Sequence, residues 1–158
     1  MSATAPERSL KYQKPSKRLG AVAVLMAVIL VVLLVCVAIA IDVGAIVLVK
    51  TQLQSASDSA ALAAATRLGL GQQSVVAEAV TFADLNKQLG GSGAEINPNE
   101  VKIGIWNRGN QTFTPATNGN AVQVTTRGTN HGYFFAKAFG PQSFSSGATA
   151  LAAAVPLA

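Results

Sequence analysis

From Leu19 to Ile41 the chain runs for 23 residues without a charged side chain. As a helix that run is about 35 Å long, and a bilayer core of about 30 Å needs about 20 residues. The apolar core of a cleaved signal peptide is shorter, about 7–15 residues, and is followed by a small-residue cleavage site. The run therefore reads as an uncleaved signal-anchor that crosses a membrane once. Residues 1–18 hold Arg8, Lys11, Lys14, Lys17 and Arg18 against Glu7 alone. A basic flank of this kind stays on the cytoplasmic side, which places everything beyond residue 45 or so on the exported side.

Composition matters mainly for what it removes. The sequence pI of 9.7 suggests a basic protein. Residues 51–158, however, hold six basic and five acidic residues, so the excess charge belongs to the N-terminal tail. No basic domain is present to grip nucleic acid. Cys36 is the only cysteine, so the exported part folds without an internal disulfide. Cys36 itself falls inside the apolar run and reads as a small hydrophobe.

The boundaries expected are a cytoplasmic tail over 1–18, a transmembrane and long-helix segment over 19–68, and an exported domain over 72–158. Residues 50–68 contain neither Gly nor Pro and are rich in Ala, Leu, Gln and Ser, so helix continues past the membrane. Gly69-Leu70-Gly71 is the first break. Ser74–Leu89 reads as a second helix, with Val75, Ala79, Phe82, Leu85 and Leu89 apolar, ended by Gly90-Gly91-Ser92-Gly93. Val101–Trp106 alternates, with Val101, Ile103 and Ile105 on one side. The turn cluster Asn107–Asn110 and the return Gln111–Thr114 complete a hairpin. Ala121–Arg127 is a further strand. Tyr133–Phe139 reads as a short helix with Phe135 and Phe139 on one face. Phe144–Val155 is extended or helical, and its alternation favours a strand. The fold class is α+β: a long transmembrane helix extending into the exported space, a second helix, and a small antiparallel sheet.

The chemistry of an enzyme is missing from this pattern. His131 is the only histidine, and it reads as a solvent-exposed residue in the loop Thr129–Gly132. No phosphate-binding loop, nucleophile elbow or zinc cluster is present. Asp58-Ser59-Ala60 does not complete a metal-binding Asp-x-Ser-x-Ser motif, since positions 60 and 62 are alanine and leucine. The expectation is no catalytic residues, no metal, no cofactor and no small-molecule substrate.

Several stretches in order carry a resemblance. They are Gly20–Val24 opening the apolar run, Asp42-Val43-Gly44 closing it, and Gln52–Ala64 with Asp58. The second half adds Val101–Trp106, Thr112–Thr114, Asn120–Thr125 and Phe134–Gly140. Together these resemble the TadG-like proteins of the Flp/Tad pilus assembly system. The resemblance implies a pilin-like first helix, an anchor in the bacterial inner membrane, and other pilus-assembly membrane proteins or pilins as partners. One departure concerns processing. Prepilins carry a glutamate five residues after the cleaved glycine, and counting from Gly20 that position is Leu25. The expected role is thus a non-polymerising accessory component of the assembly or secretion apparatus, with no N-terminal processing. A second reading is a membrane-tethered module binding a surface ligand or polysaccharide, which requires Trp106, Tyr133 and Phe134 to cluster on the surface. The alternative for these aromatics is the core of a small domain.

The residues singled out for contact are Asp42, Gly44, Ser55, Ala56, Ser59 and Ala60. Small residues spaced by four allow another backbone to approach closely. Asp42 is either a boundary mark at the outer interface, where a carboxylate reaches water, or a hydrogen-bonding group facing a second protein's membrane helix.

Overall fold

A computed structural model describes residues 18–90 and 93–154. The expected tail lies almost wholly outside the described residues. The elements are α1 (Arg18–Ala65), α2 (Gln72–Leu85), β1 (Val101–Asn107), β2 (Thr112–Pro115), β3 (Ala121–Gly132) and β4 (Ser143–Ala153). The α+β class is as expected: a long apolar helix, a second helix and an antiparallel sheet of four strands. Two compact units divide the chain, residues Met1–Val37 and Ala38–Ala158. The folded unit therefore begins inside α1, and the second half of that helix is one of its core elements.

The described part of the first unit is helix, and its large apolar side chains from Val22 to Val37 all face outward. Gly20–Ala65 is long and apolar enough to cross a membrane. The free thiol of Cys36 is exposed on the same surface.

In the second unit α1 changes character. Asp42, Ala45, Val49, Leu53, Ala56, Ala60 and Ala64 are buried, a stripe at three- and four-residue spacing. Ser57 and Ala61 widen it. Helix α1 ends at Ala65, three residues before the expected Leu68, and a 3₁₀ turn over Leu68–Leu70 follows. Gly71 then adopts φ 88°, a left-handed conformation that a side chain would strain. The break expected at Gly69–Gly71 is therefore real. It reverses the chain, and α2 returns along α1. The register is visible in three contacts: Arg67 with Glu78, Asn86 with Ser59, and the Leu89 amide with Gln52. Helix α2 buries Val75, Ala79 and Ala83. It stops at Leu85, short of the expected Leu89. Phe82 and Leu85, assigned to the apolar side from sequence, are exposed.

The sheet order is β2-β1-β3-β4, antiparallel throughout. Val101 pairs with Val124 and Ile103 with Val122, so the inward residues of neighbouring strands lie together. Ala150 and Ala152 extend this face into β4 and join the helical stripe in one core. On the opposite face Thr125 and Thr149 share a cross-strand hydrogen bond of 2.9 Å. Ile105 continues the alternation of Val101 and Ile103 but is exposed, because it pairs with edge strand β2. Trp106 is half-buried, and its amide donates to Asn120 Oδ1.

Candidate functional site

Strand β3 is longer than the sequence suggests. It runs twelve residues and passes through the segment expected to be a loop. Its pairing with β4 shifts between Gly128 and His131, and Asn130 sits at φ 60°. This bulge turns His131 inward. His131 is buried, with Nε2 3.0 Å from Gln88 Oε1 and its ring 5.5 Å from that of Phe144. The expectation of a solvent-exposed histidine is thus corrected. Gly128 makes the packing possible: a Cβ there would meet Gln88 Oε1 at 2.3 Å and His131 Nε2 at 2.5 Å.

Helix α1 and strand β3 run side by side in opposite directions. Two sets of bonds fix their register. Ser57 Oγ lies 2.7 Å from Thr126 Oγ1 and donates to the Ala148 carbonyl at 3.0 Å, while Thr126 Oγ1 donates to the Leu53 carbonyl at 3.1 Å. These groups are fully buried, so their pairing avoids the cost of isolated hydroxyls in the core. Eleven positions earlier on the helix is Asp42, and eight positions later on the other chain segment is Phe134. There the second set forms.

Asp42 is only 7% exposed. Its Oδ1 accepts from the Phe134 amide at 2.7 Å, and its Oδ2 accepts from the Ala136 amide at 2.6 Å. The Phe135 amide lies 3.2 Å from both oxygens. Three successive backbone N–H groups thus converge on one carboxylate, a concave arrangement suited to negative charge. These amides have no strand partner, because β3 has ended and a 3₁₀ turn over Ala136–Phe139 is starting. The short helix expected over Tyr133–Phe139 is therefore only this turn, and Phe135 and Phe139 are both exposed.

The six residues chosen from sequence separate into groups. Asp42, Ala56 and Ala60 share the buried stripe, and their close contacts lie within the chain. Ser59 is half-buried at the edge, where its hydroxyl donates to the Ala56 carbonyl and accepts from Asn86 Nδ2. Gly44 and Ser55 lie on the exposed side. Sequence reasoning missed Phe134–Ala136 as partners of Asp42, Thr126 as partner of Ser57, and Gln88 as partner of His131. All three pairings span more than forty residues, and no local pattern marks them.

Elsewhere Arg127 Nε donates to Glu100 Oε1 at 2.8 Å. The hydrogen bond to Arg127 holds the Glu100 carboxyl below its ordinary pKa, and the same contact raises that of Arg127. Among the described residues no group of three or more His, Cys, Asp or Glu side chains is placed to hold a metal ion.

The comparisons with known proteins agree with this architecture. Residues 20–67 match a family model described as Flp pilus-assembly TadE/G-like. Residues 45–152 match a second, described as Tad-like Flp pilus-assembly. The two overlap over residues 45–67, which include most of the buried stripe of α1. The chain belongs to the Tad-like family of Flp pilus-assembly proteins. No curated protein and no solved structure matches it.

Proposed function

We propose that this chain is a single-span accessory component of a bacterial Flp pilus-assembly apparatus. It is held in the inner membrane with its N-terminus in the cytoplasm and its α+β unit exported. The role is structural, not enzymatic, and the chain stands beside the filament without supplying its repeating subunit. One observation carries the reading. Helix α1 is an outward-facing apolar rod up to Ile41 and a core element of a folded unit from Asp42 onward. A helix of that kind joins a membrane anchor directly to the domain it presents. Contacts with other pilus-assembly membrane proteins use the exposed side of α1, where Gly44 lies. The basic residues before the span set the orientation, and Leu25 speaks against peptidase processing and polymerisation. The alternative of a ligand-binding aromatic cluster finds less support. Trp106 sits beside Asn120 at the start of β3, and Tyr133 follows its end.

The test is topology and mass together. In a Cys36→Ala background, a cysteine replacing Ser145 should react with a membrane-impermeant thiol reagent once the outer layer of the cell is permeabilised. A cysteine replacing Ser9 should not. Intact mass should show residues 1–20 retained. The reverse labelling pattern would sink the reading, and cleavage after Gly20 would restore the filament-subunit role.

A further inference from the structure

The buried core of the unit that begins at Ala38 is made of alanine, valine, leucine and isoleucine, yet three of the chain's six phenylalanines lie outside on one short segment. Phe134 is 52% exposed, Phe135 46% and Phe139 83%. Such a patch on a folded unit marks a surface that something apolar covers. Its position says what. The amides of Phe134, Phe135 and Ala136 are bonded to Asp42, the first charged residue after the 23-residue apolar run. That run is about 35 Å of helix against a hydrocarbon core of about 30 Å, so Asp42 lies at the bilayer surface. Residues hydrogen-bonded to it lie at the same depth. Ile39, Ile41 and Val43 of α1 are also exposed, within three residues of Asp42. Lys137 is exposed on the next turn, where an ammonium reaches lipid phosphate while its stem lies along the apolar layer.

We infer that Phe134–Phe139 is a membrane-docking loop. Its phenylalanines enter the interfacial layer of the leaflet nearest the folded unit, as the apolar faces of interfacial helices do. Asp42 is the latch that holds them there. Its carboxylate satisfies three amides that have no other partner at the water–lipid boundary, and the loop in turn shields the carboxylate from hydrocarbon. The folded unit thus has a second point of attachment beside its helix.

This inference rests on the reading that the apolar run crosses a bilayer, and its test separates the two. The full chain is reconstituted in phosphatidylcholine–phosphatidylglycerol vesicles whose acyl chains are brominated near the headgroup. Single-tryptophan proteins are compared: the native chain with Trp106, and Leu34→Trp and Phe139→Trp in a Trp106→Phe background. Tryptophan at 34 and at 139 should lose at least about half its fluorescence relative to unbrominated vesicles, since both contact acyl chains, while Trp106 should lose little. Adding Asp42→Ala to Phe139→Trp should relieve the quenching at 139. Quenching at 34 but none at 139 beyond that of Trp106 would overturn docking and assign the phenylalanines to a protein partner. No quenching at 34 would remove the span and the inference with it. Full quenching at 139 after Asp42→Ala would overturn the latch.

Discussion

The two halves of α1 place their apolar side chains in opposite ways. From Val22 to Val37 every large apolar side chain faces outward, and no face of the helix is preferred. From Asp42 to Ala64 the helix carries a narrow buried stripe, and the bulky residues flanking it, such as Val47 and Leu62, stay outside. In lipid an apolar side chain gains nothing by turning from one side of a helix to another, so uniformity is the stable solution. In water the helix must choose a face, and the stripe is that choice. The lesson concerns size more than hydrophobicity. The buried face is mostly alanine, and α2, which returns along α1, adds Ala79 and Ala83 to the same core. Two small-residue faces let the backbones approach closely.

The comparison is broken most severely at the few large residues of the stripe. Leu53 is fully buried, so Leu53→Ala should destabilise the folded unit by about 2–5 kcal/mol. Leu33→Ala in the outward half should leave its unfolding unchanged. Denaturant titration of the detergent-solubilised chain, followed by Trp106 fluorescence, reads both. Next in size is overpacking. Ala60 has no exposed surface, and Ala60→Leu should cost about 1–3 kcal/mol, whereas Ala27→Leu should cost none in the same assay.

Asp42 is where the halves meet, and its replacement should act locally. Asp42→Leu removes every acceptor from the amides of Phe134, Phe135 and Ala136. Hydrogen exchange at those three should quicken, with the β3 amides of Val122 and Val124 unaffected. Asp42→Asn keeps one acceptor oxygen and should be milder. Equal exchange in Asp42→Leu and wild type would mean that the loop holds its shape without the helix.

The smallest effect is expected far from α1. Glu100 has a lowered carboxyl pKa through its bond to Arg127. A group depressed on folding stabilises the fold above its unfolded value, and the contribution is lost as pH falls through the folded value. Wild type should therefore lose slightly more stability than Glu100→Gln on acidification below the ordinary carboxylate range. Both partners are partly in water, and such pairs contribute little.

How far the sequence could be read follows the range of the interactions. The long helix, the break at Gly69–Gly71 and the hairpin around Asn107–Asn110 are written in adjacent residues, and each stands where its residues put it. The stripe was half legible. Ala56 and Ala60 read as a surface for another helix, and they share a core with the chain's own α2. His131 was misplaced because Gly128 and Asn130 read as loop residues, whereas here they form a bulge inside β3. Asp42 was recognised as unusual, but nothing near it in sequence names its partners, which come 92–94 residues later. Tyr133–Phe139 reads from sequence as a short helix, but it forms only a 3₁₀ turn, because its backbone amides turn to Asp42 where β3 ends.

The pairing of Ser57 with Thr126 and the Ala148 carbonyl also limits how the unit can be made. Helix α1 precedes every described strand in sequence, and its stripe shares a core with β3 and β4 as well as with α2. Contacts so distant in sequence close slowly, because a long loop must be ordered before any of them forms. Until β3 and β4 have formed, Val49 and Leu53 lack the strands that complete their core. Folding of the unit therefore waits on β4. A chain stalled before Ala148 would keep its long apolar helix and lack the strand that completes its core.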